Sequence, residues 1–164
     1  MQTTRMAITV DVPIEQVWNV MIDYAGYARF PGVQAARVIR PGRDHPAGVG
    51  ALREITVAGT TFVEEIVEFE PPRVLAYKIV QSRPLKILHE IGRMRLQTRG
   101  NQTSLEWETT GTVGIPVIGG LLAYPMSLMM RRTFMRILHW LKDDLERAAR
   151  SKPAGADSAS SSAT

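Results

Sequence analysis

Between Val33 and Val113 the chain is cut at short intervals by "PGRDHPAG", "AGT", "EPP", "SRPL" and "GNQ", all rich in proline, glycine or asparagine. Such residues set tight turns. The segments they leave are Val33 to Ile39, Gly50 to Val57, Thr61 to Phe69, Arg73 to Val80, Leu88 to Arg99 and Thr103 to Val113. Connections this short join consecutive strands as antiparallel hairpins. The expected framework is therefore an antiparallel sheet.

A further strand precedes it. In "TTRMAITVDVP" Met6, Ile8 and Val10 alternate with Arg5, Thr9 and Asp11, the period of a half-buried strand over about Gln2 to Val10. Pro13 then opens a helix, a position where its missing N–H has no intrahelical partner to lose. Ile14, Val17, Trp18, Met21 and Ile22 follow at helical spacing. In "YAGYARFPGV" Tyr24, Tyr27 and Phe30 share one side of a second short helix that Pro31 and Gly32 stop. Val117 to Arg150 reads as one long helix, bent or begun at Pro125, with Leu122, Met126, Met129, Thr133, Ile137, Leu141, Leu145 and Ala148 along one stripe. Seven strands with helices on one face make an α+β domain.

One such domain accounts for residues 1–150 of the 164. From Ser151 the text "SKPAGADSASSSAT" is small and polar, and is expected to be a disordered tail. Scattered arginines and a net charge of +4 argue against a nucleic-acid partner, which calls for a dense basic stripe. The absence of cysteine removes disulfides and thiolate chemistry, and His45, His89 and His139 form no metal-binding pair, so neither metal nor cofactor is expected. The start "MQTTRMAITVDVP" has no signal-peptide core, which points to the cytoplasm. Val113 to Met130 is uncharged over a length near the lower limit of a membrane span, yet it holds Pro116, Pro125, Gly114, Gly119 and Gly120. It reads as a buried hinge, with a transient contact to a membrane surface as the other reading. Nothing in the sequence specifies an oligomer.

Alternation chooses the strand residues that face inward. In "FVEEIVEF" the more apolar set is Val63, Glu65, Val67 and Phe69, so Glu65 is expected inside and Glu64 outside. "RVLAYKIV" gives Leu75, Tyr77 and Ile79, and "TSLEWETT" gives Leu105, Trp107 and Thr109. "LHEIGRMRL" favours Leu88, Glu90, Gly92, Met94 and Leu96, leaving His89 to solvent unless the register slips by one. In "ALREITV" the face of Arg53, Ile55 and Val57 is preferred. The expected lining thus comprises Arg53, Glu65, Tyr77, Glu90, Met94, Trp107 and Thr109, joined from the long helix by Met126, Met129 and Met130. Methionine adapts to irregular shapes, so these three suit either a plastic core or the wall of a cavity for ligands of variable outline. Pro125 and the Gly119-Gly120 pair leave room for a hinge at its entrance.

Four stretches, "ITVDVPIEQVWNVMIDYAGYARFPGV", "GVGALREITV", "EEIVEFEPPRVLAYKIV" and "LHWLKDDLE", resemble the START-related, birch-pollen-allergen-like superfamily, in its polyketide cyclase/dehydrase and lipid-transport branch. The resemblance implies a helix-grip fold, a curved antiparallel sheet wrapped around the C-terminal helix, with a cavity for lipids, polyketides or other apolar molecules. Asp23, Tyr24, Tyr27, Phe30 and Pro31 are also similar to a run found in coenzyme Q-binding chaperones. Three functions follow as expectations. The first is a carrier of an apolar or amphipathic small molecule. The second is a cyclase using Glu65 or Glu90 with Tyr77 as acid and base. The third is a quinone or lipid chaperone at a membrane surface.

Overall fold

The computed structural model describes residues 2–113 and 119–151, with side chains from 3 to 111 and from 131 to 151. Its elements run β1 (Gln2–Val10), α1 (Ile14–Ile22), a 3-10 turn (Ala25–Arg29), β2 (Val33–Arg40), β3 (Leu52–Val57), β4 (Thr60–Glu70), β5 (Val74–Arg83), β6 (Ile87–Arg99), β7 (Gln102–Val113) and α2 (Gly119–Ser151). The seven strands form one antiparallel sheet in the order β1-β7-β6-β5-β4-β3-β2. Every pairing after β1 is a hairpin between neighbours in sequence, as the short turns require. The second short helix is a single 3-10 stretch, and α2 begins at Gly119, so Pro125 lies within it. Of the expected tail only Ser151 is described, and it closes α2.

Helices cover one face of the curved sheet. Val17, Trp18 and Met21 of α1 join Val10, Leu75, Leu96 and Leu105 in a core that Leu138, Leu141 and Leu145 of α2 complete. Trp18 meets Phe69 at a centroid distance of 5.3 Å and Phe30 meets Trp140 edge-on at 5.2 Å, so one aromatic contact joins α1 to β4 and a separate one joins the end of the 3-10 turn to α2. The far end of α2 is tied to β1 by polar contacts. Lys142 Nζ donates to the Thr9 carbonyl at 2.8 Å, and the Asp11 N–H donates to Glu146 Oε1 at 2.8 Å.

Two extra residues reverse the expected faces. On β4 the register slips at Val67, between the pairs Ile66↔Tyr77 and Glu68↔Ala76. On β6 it slips at Glu90, between His89↔Gly111 and Ile91↔Thr110. A bulge of one residue turns every side chain beyond it to the opposite face. Phe69 therefore packs into the core as expected, whereas Glu64 and Ile66 are buried in place of Glu65 and Val67. Likewise Gly92, Met94 and Leu96 are buried as expected, but Leu88 and Glu90 are exposed. The alternation expected for β1, β3, β5 and β7 holds at Met6, Arg53, Tyr77 and Thr109, all buried.

Candidate functional site

Arg53 lies near the start of β3 and is 2% exposed. A guanidinium so enclosed requires charge and hydrogen-bond partners. Its Nε–H donates to Glu64 Oε2 at 2.7 Å and its Nη1 donates to Tyr27 Oη at 3.1 Å. The rings of Tyr24, Tyr27 and Tyr77 surround its Cζ at 4.7, 5.0 and 5.0 Å from their centroids. A cation facing aromatic rings is attracted by their quadrupoles, and more strongly when water is absent. Tyr24, which precedes the 3-10 turn, and Tyr27 within it are held by their own hydroxyls, which donate to the Ala47 carbonyl at 2.6 Å and the Met21 carbonyl at 2.5 Å.

The electrostatics follow from this enclosure. Burial opposes the charge on Arg53, but Glu64 and the three tyrosines outweigh it and raise the guanidinium above its usual pKa. Burial also pushes the Glu64 carboxyl up, with Arg53 drawing it back. Those two directions pull against each other across one contact. The pair is ionised at neutral pH, because protonating Glu64 would leave a buried cation facing a neutral acid at 2.7 Å. Burial raises the phenols of Tyr24, Tyr27 and Tyr77 as well, so all three stay neutral donors.

Beside Arg53, Tyr77 stacks on His89. The Ile79 N–H donates to His89 Nδ1 at 3.1 Å, so the neutral ring carries its proton on Nε2 and donates it to Thr109 Oγ1, also at 3.1 Å. Burial lowers the His89 pKa to about 4. Space for this arrangement comes from two glycines. A Cβ on Gly92 would stand 2.3 Å from Tyr77 Cζ, and one on Gly111 would stand 3.4 Å from His89 Cδ2. Trp107 continues the same face along β7, between Met6 and Met94 in register, with its ring 4.4 Å from that of Phe134 on α2.

Of the residues expected to line the interior, Arg53, Tyr77, Met94 and Thr109 are buried on the helix-covered face and Trp107 is half-buried there. Glu65 and Glu90 are not among them. Glu65 stands on the outer face, 3.8 Å from Arg40, and Glu90 is exposed at its bulge, so neither can pair with Tyr77 as acid or base. Met126, Met129 and Met130 fall outside the residues whose side chains are described. Alternation missed Glu64 and His89 because both lie upstream of a bulge, although Gly92 and Gly111 marked the places where large side chains approach. The tyrosines of the 3-10 turn were legible as one side of a helix, but not as a shell around Arg53.

A family model described as polyketide cyclase / dehydrase and lipid transport matches residues 1–146. Solved structures of the same architecture include an aromatase/cyclase from Streptomyces sp. R1128, at 20% identity and a TM-score of 0.76 over 92% of this chain and 96% of that one. A START superfamily protein from Mycobacterium smegmatis gives 14% identity and a TM-score of 0.74 over 89% and 98%. A protein from Thermus thermophilus gives 18% and 0.74 over 92% and 100%. No curated protein matches the sequence. At these identities the structural likenesses establish the helix-grip fold.

Proposed function

The chain belongs to the polyketide cyclase / dehydrase and lipid transport family, and from that premise we propose that it binds a hydrophobic or amphipathic small molecule between the inner face of the sheet and α2. The observation that carries this reading is the distribution of polar groups on that face. Arg53, Tyr77, His89 and Thr109 converge across β3, β5, β6 and β7, while Met6, Met94, Leu96 and Leu105 make the remainder apolar. A small-molecule site needs this composition, a mostly apolar wall with a few oriented polar groups. Hydrocarbon burial supplies affinity at about 25 cal/mol per Å² before the cost of association, and the polar groups orient the head. Met126, Met129 and Met130 lie on α2 with side chains outside those described, and are proposed for this lining from the sequence alone.

Native mass spectrometry of freshly purified protein, followed by solvent extraction, tests the reading through what travels with the chain. A bound apolar mass supports it. For a quantitative test, an apolar fluorescent probe is titrated into the wild type and into a variant with Met129→Trp and Met130→Trp. Uptake unchanged by the two bulky rings overturns a site bordered by α2.

A cyclase is the second reading, favoured by one contact. The Tyr77 and His89 rings stack on the inner face, where Glu65 and Glu90 are absent. Turnover of a poly-β-ketone mimic by the wild type, lost in Tyr77→Phe, would support it. Membrane delivery rests on Val113 to Met130, whose side chains lie outside those described; among the described residues no helix is long and apolar enough to cross a bilayer. Co-sedimentation with vesicles tests that alternative, and the cytoplasm remains the proposed compartment.

A further inference from the structure

One donor on the inner face has no acceptor. Among the described residues Trp107 Nε1 is the sole buried side-chain nitrogen or oxygen without a hydrogen-bond partner. An indole N–H can donate and nothing else, so burying it unbonded costs free energy that an arriving acceptor recovers. The neighbouring donor is the Tyr77 hydroxyl. It lies over the bare backbone of Gly92, where a Cβ would sit 2.6 Å from Tyr77 Oη.

Register brings the two together. Tyr77 is opposite Gly92, Gly92 is opposite Thr109, and Trp107 follows two residues along β7 on the same face. Because Gly92 has no side chain, the Tyr77 ring reaches across β6 towards β7. Hydrogen bonding from the indole lowers the phenol's pKa against the larger effect of burial, although the indole N–H meets no acceptor at good hydrogen-bond geometry.

The acceptors nearby are already taken. Glu64 receives Arg53, Thr109 Oγ1 receives His89 Nε2–H, and His89 Nδ1 receives the Ile79 N–H. The Arg53 hydrogen bonds use Nε and Nη1, so Nη2 adds donor capacity beside Tyr77. Resting on the ligand-binding reading above, we propose that Trp107 Nε1–H and Tyr77 Oη–H jointly hold one acceptor oxygen of the ligand, which makes the ligand class an apolar molecule bearing a carbonyl-type oxygen. A pure hydrocarbon leaves the indole unpaired, and an ammonium brings donors to a donor.

The test uses two probes of closely similar shape, 2-acetonaphthone and 2-isopropenylnaphthalene, which differ by a carbonyl oxygen in place of a methylene group. Each is titrated into the full chain and into Trp107→Phe and Tyr77→Phe. The ketone is expected to lose about ten-fold in affinity in either variant, while the hydrocarbon changes by less than about two-fold. Equal changes for the two probes, or none for the ketone, overturn the assignment. Indole N–H resonances in ¹⁵N-labelled wild type give a readout independent of whether the variants fold. The Trp107 signal, assigned by its loss in Trp107→Phe or from wild-type sequential spectra, should move downfield with the ketone and stay with the hydrocarbon; a stationary signal with the ketone refutes the contact. If neither probe binds wild type, the ligand-binding reading itself falls and takes this assignment with it. If both bind and the indole ignores the carbonyl, only this assignment falls.

Discussion

Tyr77 and His89 stack with ring centroids 5.5 Å apart and planes 12° from parallel, across two strands whose neighbouring positions are glycines. The stack joins the charged part of the inner face, Arg53 and Glu64, to its neutral part, Thr109 and Trp107. Its geometry depends on what is missing from Gly92 and on what has been inserted at Glu90.

Gly92→Ala should therefore disturb the stack directly. The added methyl meets Tyr77 ring atoms at 2.3 and 2.5 Å, contacts that only a displaced ring can relieve. Overpacking of this kind costs about 1–3 kcal/mol. Urea denaturation measures the loss, and near-ultraviolet circular dichroism should change at the tyrosine bands. Unchanged stability and spectrum would mean that Tyr77 does not lie over Gly92.

Stability should fall on mild acidification. The folded His89 pKa is about 4 and its unfolded value is the ordinary 6.5, so between those limits the unfolded chain binds more protons than the folded one. Folding free energy is then lost as pH drops from about 6.5 towards 4. Discounted for the ring's partial exposure, the effect is about 1–2 kcal/mol. Comparing urea midpoints at pH 7 and pH 5 for the wild type and His89→Gln isolates it: the wild type should lose more than the variant. Equal losses would place the acid sensitivity elsewhere.

Removing one member of the Arg53–Glu64 pair should do more harm than removing both. Arg53→Met strands a carboxylate at a position only 7% exposed, which costs about 3–5 kcal/mol. Arg53→Met with Glu64→Leu should recover a large part of that loss, because apolar groups of similar volume need no partner. Thermal denaturation of the two variants reads the difference. A double variant as unstable as the single one would show that Arg53 serves the tyrosine rings more than the carboxylate.

Glu65→Gln and Glu90→Gln should each change stability by less than about 0.5 kcal/mol and leave probe binding unaltered, since both side chains face outward. Glu64→Gln, one residue along β4, should be clearly destabilising. Should Glu65 prove the sensitive position instead, the bulge at Val67 is misplaced.

The architecture was readable because turn residues and helical periods are local signals. The "EPP" and "GNQ" breaks fall at the ends of β4 and β6, and the Ile14, Val17, Trp18 and Met21 spacing corresponds to the buried side of α1. Arg53, Tyr77, Met94 and Thr109 were readable for the same reason, since their strands alternate without interruption around them. Glu64 and His89 were not. Each lies beyond an extra residue whose only trace is in the pairing with another strand, and a pairing is a non-local fact. The apolarity of Val63 and Val67 even favoured the wrong side, because a sheet's outer surface tolerates half-buried valines.

The bulge at Glu90 has a mutational corollary. A one-codon deletion there would restore simple alternation upstream, rotating His89 to solvent and bringing Leu88 to the place beside Tyr77. The interior would trade an imidazole for a hydrocarbon with no amino acid substituted. Insertion and deletion in the strands, rather than replacement alone, are thus a route by which this scaffold can change the polarity of its inner face.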